Sequence, residues 1–250
     1  MNIFRIIVAV LCLTISATSG AALKSRELAD KAGIIEYAAH TGDYRYLTQL
    51  SELLPEQKAR GDLQKLVHYY AALAAYRAAE IDEDVEFRVG VLLDRCVEQG
   101  KAALKLDREY TEALALIGAC HGLAAARQPL AAIVSGNFSA RELKRAVKLS
   151  PENPRVLLLQ AVTLLRRYDD DSRRMQAREF LAKSIALYAQ FVDLEQSDGP
   201  QWGEEYAHLW MARLAVIQGD KVLARDHLEK ALIIAPQFSA ASSDLNSLGG

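Results

Sequence analysis

The short breaks between helical segments constrain this chain more than any other feature. Apolar residues recur at helix-face spacing along most of its length, and the punctuation between runs is only a few residues long: "HTGDY", "LLPEQ", "LDREY", "SPENP" and "IQGDK". A long helix ending in so short a link folds back on its neighbour, because a few residues cannot carry the chain around to a parallel start. Periodicity and breaks predict helices over 24–40, 43–54, 57–80, 83–105, 109–126, 129–149 (with a break near Gly136), 153–168, 173–194, 202–218 and 221–235. Alanine and leucine dominate and few runs alternate apolar with polar residues, so the expected class is all-α, a stack of antiparallel helical hairpins. The closing "SAASSDLNSLGG", residues 239–250, is small and polar and predicts a flexible C-terminal tail.

The N-terminus adds a compartment. Arg5 precedes the apolar run Ile6 to Leu13, and small and polar residues follow from Ser16 to Ala22. That order predicts a secretory signal peptide over 1–22, cleaved near Ala22, and a periplasmic or secreted location. An uncleaved anchor is the competing reading, but no basic stop-transfer flank follows. Val10-Leu11 before Cys12 argue against lipidation, since small residues would be wanted there. Removing 1–22 takes away only Arg5 among charged residues, moving the formal charge from −2 to −3, with 29 basic against 32 acidic groups. No membrane span is expected after cleavage, and no basic face argues for nucleic acid as a partner.

Export makes a disulfide chemically accessible. The two remaining cysteines, Cys96 and Cys120, have their midpoint at Arg108, inside the "LDREY" break. In an antiparallel hairpin each would lie about 18 Å of helix from the turn, at the same height on facing helices. A bond between them would be worth roughly 3 kcal/mol in the chain-entropy model. Two small buried thiols packing like alanines are the alternative, and both readings stay open here.

Internal repetition sharpens the fold. In the 34 residues from Glu205, small Ala212 falls on a first helix, Gly219-Asp220 at the turn, Ala224, Leu228 and Ala231-Leu232 on a second helix, and Pro236 just past its end. This order resembles the tetratricopeptide repeat (TPR), with His208 where that family carries an aromatic residue and Trp210 two positions later. Small residues in such a unit let two helix backbones approach closely, and bulky ones fill the grooves. Echoes occur in "KAALKLD" at 101–107, Gly118, "KRAVKLSPENP" at 144–154, Ala161 and the Gly-Asp turn in "HTGDY" at 40–44. The match is full over 205–238 and partial over 96–165. The stretches "ARQPLAAIVSGNFSA" and "RYDDDSRRM" break the regular spacing. The resemblance implies a degenerate array of about five hairpins over 23–238, wound into a right-handed superhelix of the α-solenoid kind.

No catalytic constellation emerges. The five histidines do not form the two-His helical spacing of a zinc protease, and Glu205-x-x-His208 is a single copy of a motif that di-iron bundles use twice, so no metal site is expected. Cys120 and His121 are helical neighbours about 100° apart, which does not make a nucleophile–base pair. Neither a phosphate-cradling glycine loop nor a Gly-x-Ser-x-Gly elbow is present, and no cofactor is expected. "YDDDSRR" lacks the alternation of a calcium loop and reads as a salt-bridged surface turn. Asn137-Phe138-Ser139 is formally a glycosylation sequon, without meaning in a bacterial periplasm.

The remaining candidate is a surface. The TPR resemblance implies that first helices line a concave groove for a segment of another protein. Its groove positions map to Tyr206, Leu209, Arg213, Val216 and Ile217, and to Arg155, Leu158, Val162, Leu165 and Arg166. Arg155, Tyr206 and Arg213 stand out as groups suited to a partner's carboxylates or C-terminus, with Arg166 and Ile217 beside them. The aliphatic members read equally as core, and Trp202 and Trp210 as packing anchors. The expectation is a non-enzymatic adaptor for a periplasmic or envelope protein. The alternative is a carrier, perched beside a transporter, with a pocket inside the superhelix for a small apolar ligand. An arginine-lined concavity favours the first and a closed aliphatic pocket the second.

Overall fold

Glycine–aspartate pairs end one helix and start the next, and the computed structural model shows how. It describes residues 22–81, 86–128, 132–167, 169–191 and 199–249. Residues 1–21, which hold nearly all of the expected signal peptide, lie outside them. Gly42 and Gly219 sit in the left-handed region at φ 79° and 80°, where a side chain would be strained. The aspartate after each accepts a hydrogen bond from the new helix: Asp43 from the Tyr46 N–H at 3.0 Å and Asp220 from the Leu223 N–H at 2.9 Å. Asn153 does the same for the helix opening at Pro154, accepting from the N–H groups of Arg155 and Val156.

The described residues form eleven α-helices: α1 (Ser25–Thr41), α2 (Tyr44–Leu53), α3 (Leu63–Ile81), α4 (Glu86–Leu106), α5 (Thr111–Arg127), α6 (Ala132–Leu149), α7 (Pro154–Arg167), α8 (Asp171–Phe191), α9 (Glu204–Ile217), α10 (Lys221–Ile234) and α11 (Ser239–Leu248). No strand occurs among them, and none of these helices is long and apolar enough to cross a membrane. Three sequence expectations need correction. α3 starts at Leu63 rather than residue 57, because Pro55 sits in a 3-10 turn over Leu54–Glu56 and Gly61 takes φ 56°. α6 runs unbroken through Gly136, whose carbonyl accepts from Arg167 Nη1 at 3.0 Å. Residues 239–248 are helical rather than a frayed tail, with Ala241 buried and Asp244 bonded to Arg213.

Packing divides the helices into two kinds. α3, α5, α7 and α9 touch in succession and are buried on nearly every face, as helices that are apolar all round should be. α4, α6, α8 and α10 each pack on the preceding helix; on α10 only Ala224, Leu228 and Ala231 are fully buried. α5 approaches both α6 and α7 through glycines. A Cβ on Gly118 would lie 2.6 Å from Leu143 Cγ, and one on Gly122 would lie 2.5 Å from Thr163 Cγ2. α4 and α5 meet across the expected turn, and Cys96 and Cys120 are joined there as a disulfide with Cα atoms 6.5 Å apart. The first and last described helices also meet: α1 touches α11, and the Ser239 hydroxyl donates to the His40 carbonyl at 2.8 Å.

Candidate functional site

A charged cluster sits where α1, α3, α7 and α9 converge. It begins with the α3 sequence "YYAALAAYRAAE", in which Tyr69, Tyr76, Arg77 and Glu80 recur at intervals of seven, eight and eleven residues and so share one helix face. Arg77 is 3 % exposed. Its guanidinium lies 3.5 Å from the Tyr206 ring centre and 4.8 Å from that of Trp202. Nη1 donates to Glu80 Oε2 at 2.7 Å, while Glu36 Oε2 on α1 is 3.9 Å from Nη2. Arg166 on α7 donates to Glu80 Oε1 at 2.7 Å and to the Tyr76 hydroxyl at 2.8 Å. Burial works against a charged Glu80, but Arg166 and Arg77 outweigh it and hold the carboxyl below its ordinary range.

Glu36 has the opposite fate. Its carboxyl oxygens are buried without a hydrogen-bond partner. Desolvation pushes its pKa up to about 8, against the pull of Arg77 and with the repulsion of Glu205 and Glu80. Beside it, His40 Nε2 lies 3.2 Å from Glu205 Oε1, and His40 Nδ1 lies 3.2 Å from Gln237 Nε2. An amide donor at Nδ1 requires the tautomer with hydrogen on Nε2, which then donates to Glu205. The His40 ring packs against Tyr206 and Phe238.

Two cavities flank the cluster. One, of about 270 Å³, is lined by Arg77, Glu80, Arg166, Trp210, Arg213 and Phe238 among others. Two guanidiniums approach the Trp210 ring there, Arg166 at 4.8 Å and Arg213 at 5.1 Å from its centre. The second, of about 250 Å³, is lined by Leu28, Ala32, Glu36, Leu66, Tyr70 and Trp202 among others. Trp202 is locked in place: its indole N–H donates to the Tyr69 hydroxyl at 3.0 Å, and its carbonyl accepts from the Tyr188 hydroxyl at 3.0 Å. Gly203 follows it at φ 118°, against Tyr188.

The groove residues expected from the sequence part company in three dimensions. Arg155 belongs to a separate interior pair, with Nε and Nη2 both 2.8 Å from Glu112 Oε1, where Asn153 Nδ2 also donates at 2.9 Å. It is not an open groove cation, because the fold already supplies its carboxylate. Arg166 lines the first cavity but is likewise held by Glu80. Tyr206 is buried beneath Arg77, its hydroxyl without a partner. Arg213 is the accessible one: it lines the same cavity, and its Nε donates to Asp244 Oδ2 at 2.7 Å. Ile217 is 57 % exposed at the end of α9 and touches neither cavity. Leu158 and Val162 are core, as the alternative reading had it.

Sequence reasoning passed over Glu36, His40, Arg77 and Glu80, and it weighed Glu205 only beside His208, where it dismissed a metal motif. His208 Nδ1 instead meets His227 Nδ1 at 2.8 Å. A signal for Arg77 and Glu80 was present: a charged pair three residues apart inside an otherwise apolar, alanine-rich helix needs interior partners. Asp169 and Asp171 in "YDDDSRR" pair with Arg174, salt-bridged and exposed as expected, but from Asp171 onward the stretch is the first turn of α8 rather than a loop. No family model matches this chain, and no curated protein matches its sequence.

Proposed function

We propose that this protein is an exported, non-enzymatic adaptor, a degenerate TPR-like array curled into a right-handed superhelix, that holds a carboxylate-bearing segment of another envelope protein. The supporting observation is the cavity of about 270 Å³ walled by Trp210 with Arg166 and Arg213 both near its ring. Cations and aromatic faces of this kind suit a peptide carboxylate better than an apolar small molecule. Arg213 is the gate. Its only salt-bridging carboxylate among the described residues is Asp244, on the last helix, with side chains 37 % and 31 % exposed. A partner carboxylate can replace Asp244 there at little cost, because so exposed a pair contributes about 1 kcal/mol or less.

The carrier reading draws on the second cavity, lined largely by Leu28, Ala29, Ala32, Leu66 and Trp202. At about 250 Å³ it is as small as the first cavity and would take only a small molecule. Site-specific photocrosslinking separates the two readings. A crosslinking residue replacing Ala240, which lines the first cavity from α11, should trap one envelope protein through one peptide, and one replacing Val222, on α10, should not. Arg213→Glu should weaken that capture about 10- to 100-fold. Equal capture from both positions, or capture indifferent to Arg213→Glu, would refute the groove.

A further inference from the structure

We propose that Glu36, His40 and Glu205 form a binding site for a divalent transition-metal ion, of the zinc or manganese class, that ties α1 to α9. One ligand atom from each lies within 4.8 Å of the others. Glu36 and His40 are four apart on α1 and therefore face the same way, while Glu205 arrives from the first turn of α9. Two carboxylate oxygens and one imidazole nitrogen are the donor set of many zinc and manganese sites.

Independent of that spacing, both Glu36 carboxyl oxygens are buried and accept no hydrogen bond. A buried carboxylate without a donor is costly, and a cation is one of the few things that can satisfy it. With Glu36 ionised as a ligand, three carboxylates (Glu36, Glu80, Glu205) face two guanidiniums (Arg77, Arg166), which leaves room for positive charge. Arg77 compensates Glu36 only in part: Nη2 forms an ion pair with Glu36 Oε2 at 3.9 Å, too long for a hydrogen bond, while its short bond goes to Glu80 at 2.7 Å.

The shell behind the ligands is in place. Gln237 holds the far nitrogen of His40, and turning its amide over presents an oxygen to an Nδ1–H, which frees Nε2 for the metal. Tyr206 and Phe238 pack on the imidazole and fix its plane. Tetrahedral zinc at about 2.0–2.1 Å from each donor needs donors roughly 3.3 Å apart, which His40 and Glu205 meet at 3.2 Å. Glu36 then needs a rotamer adjustment of up to about 1.5 Å. It also lines the cavity of about 250 Å³, which gives the ion an entry path and a place for water as a further ligand.

The test titrates the full chain, stripped with chelator, with zinc chloride alone and then with cobalt(II) as a spectroscopic probe. We expect one equivalent bound, a visible cobalt band, and a metal-dependent rise in Tm. Glu36→Gln and His40→Gln should each weaken binding by at least about 100-fold, and Gln237→Leu, which leaves every ligand in place, by about 10-fold. His227→Gln, which breaks up the His208–His227 pair outside the site, should leave affinity unchanged. If Glu36→Gln does not fold, Gln237→Leu still decides. No stoichiometric binding by the wild type, an unchanged affinity in Gln237→Leu, or loss in His227→Gln would overturn the site.

Discussion

Two glycine-to-alanine substitutions should move stability in opposite directions, and the structure sets both signs. Gly33 lies mid-way along α1 with nothing within 4 Å of where a Cβ would stand. Alanine there only reduces the freedom of the unfolded chain and improves helix propensity, stabilising by about 0.5–1 kcal/mol. Gly118 gains the same propensity, but its new Cβ would lie 2.6 Å from Leu143 Cγ and 3.1 Å from the Leu143 backbone nitrogen. The second contact decides the sign, because backbone cannot rotate away and α6 as a whole must retreat. Overpacking of this kind costs about 1–3 kcal/mol, so Gly118→Ala should lose a net 1–2 kcal/mol or so. Urea unfolding measures it as opposite shifts of the midpoint at constant m. Leu143→Ala alone should cost about 2–5 kcal/mol, and in that background Gly118→Ala should cost less than in the wild type but remain unfavourable, because the contact with the residue 143 backbone nitrogen persists. A Gly118→Ala chain stabilised like Gly33→Ala, or a cost that vanishes once the Leu143 side chain is gone, would refute close backbone approach as the reason for the glycine.

Three further outcomes are expected. Burial, followed by the charges of His227 and Lys230, lowers the pKa of His208 to about 4, and burial lowers that of His227 as well. The unfolded chain then binds more protons below about pH 6.5, so stability present above that pH should fall by roughly 2 kcal/mol toward pH 4, after allowance for solvent screening. His208→Gln should flatten the decline in urea midpoints between pH 7 and 4.5, and an unchanged slope would exclude the pair as its source. Reduction should destabilise the chain by about 3 kcal/mol if the Cys96–Cys120 bond closes its 24-residue span in solution, whereas thiol titration of the unreduced, denatured protein should find neither cysteine free. Truncation after Phe238 should cost on the order of 2 kcal/mol of stability, from the lost burial of Ala241 and packing of Leu245 and Leu248, where a frayed tail would cost nothing.

Local chemistry made much of the fold legible. Gly42-Asp43 and Gly219-Asp220 act within four residues of chain, so their turn geometry depends on nothing distant. The facing cysteines followed from helix rise and a turn centred on Arg108. α11 escaped notice because its helix is held by groups outside it: Arg213 bonds Asp244, and Ser239 reaches the His40 carbonyl. Small polar residues carry too little periodic signal to announce such docking.

The sequence alone determined an all-helical chain, its turns and most helix boundaries, because capping and periodicity are properties of neighbouring residues. Only the tertiary structure decided which charges are spent inside. Arg155 and Glu112 are 43 residues apart, Arg166 and Glu80 86, and His40 and Glu205 165. A guanidinium on a helix looks the same in sequence whether it faces solvent or a buried carboxylate. What separates the two is desolvation, which forces each buried charge to find a partner and exists only once the helices have packed.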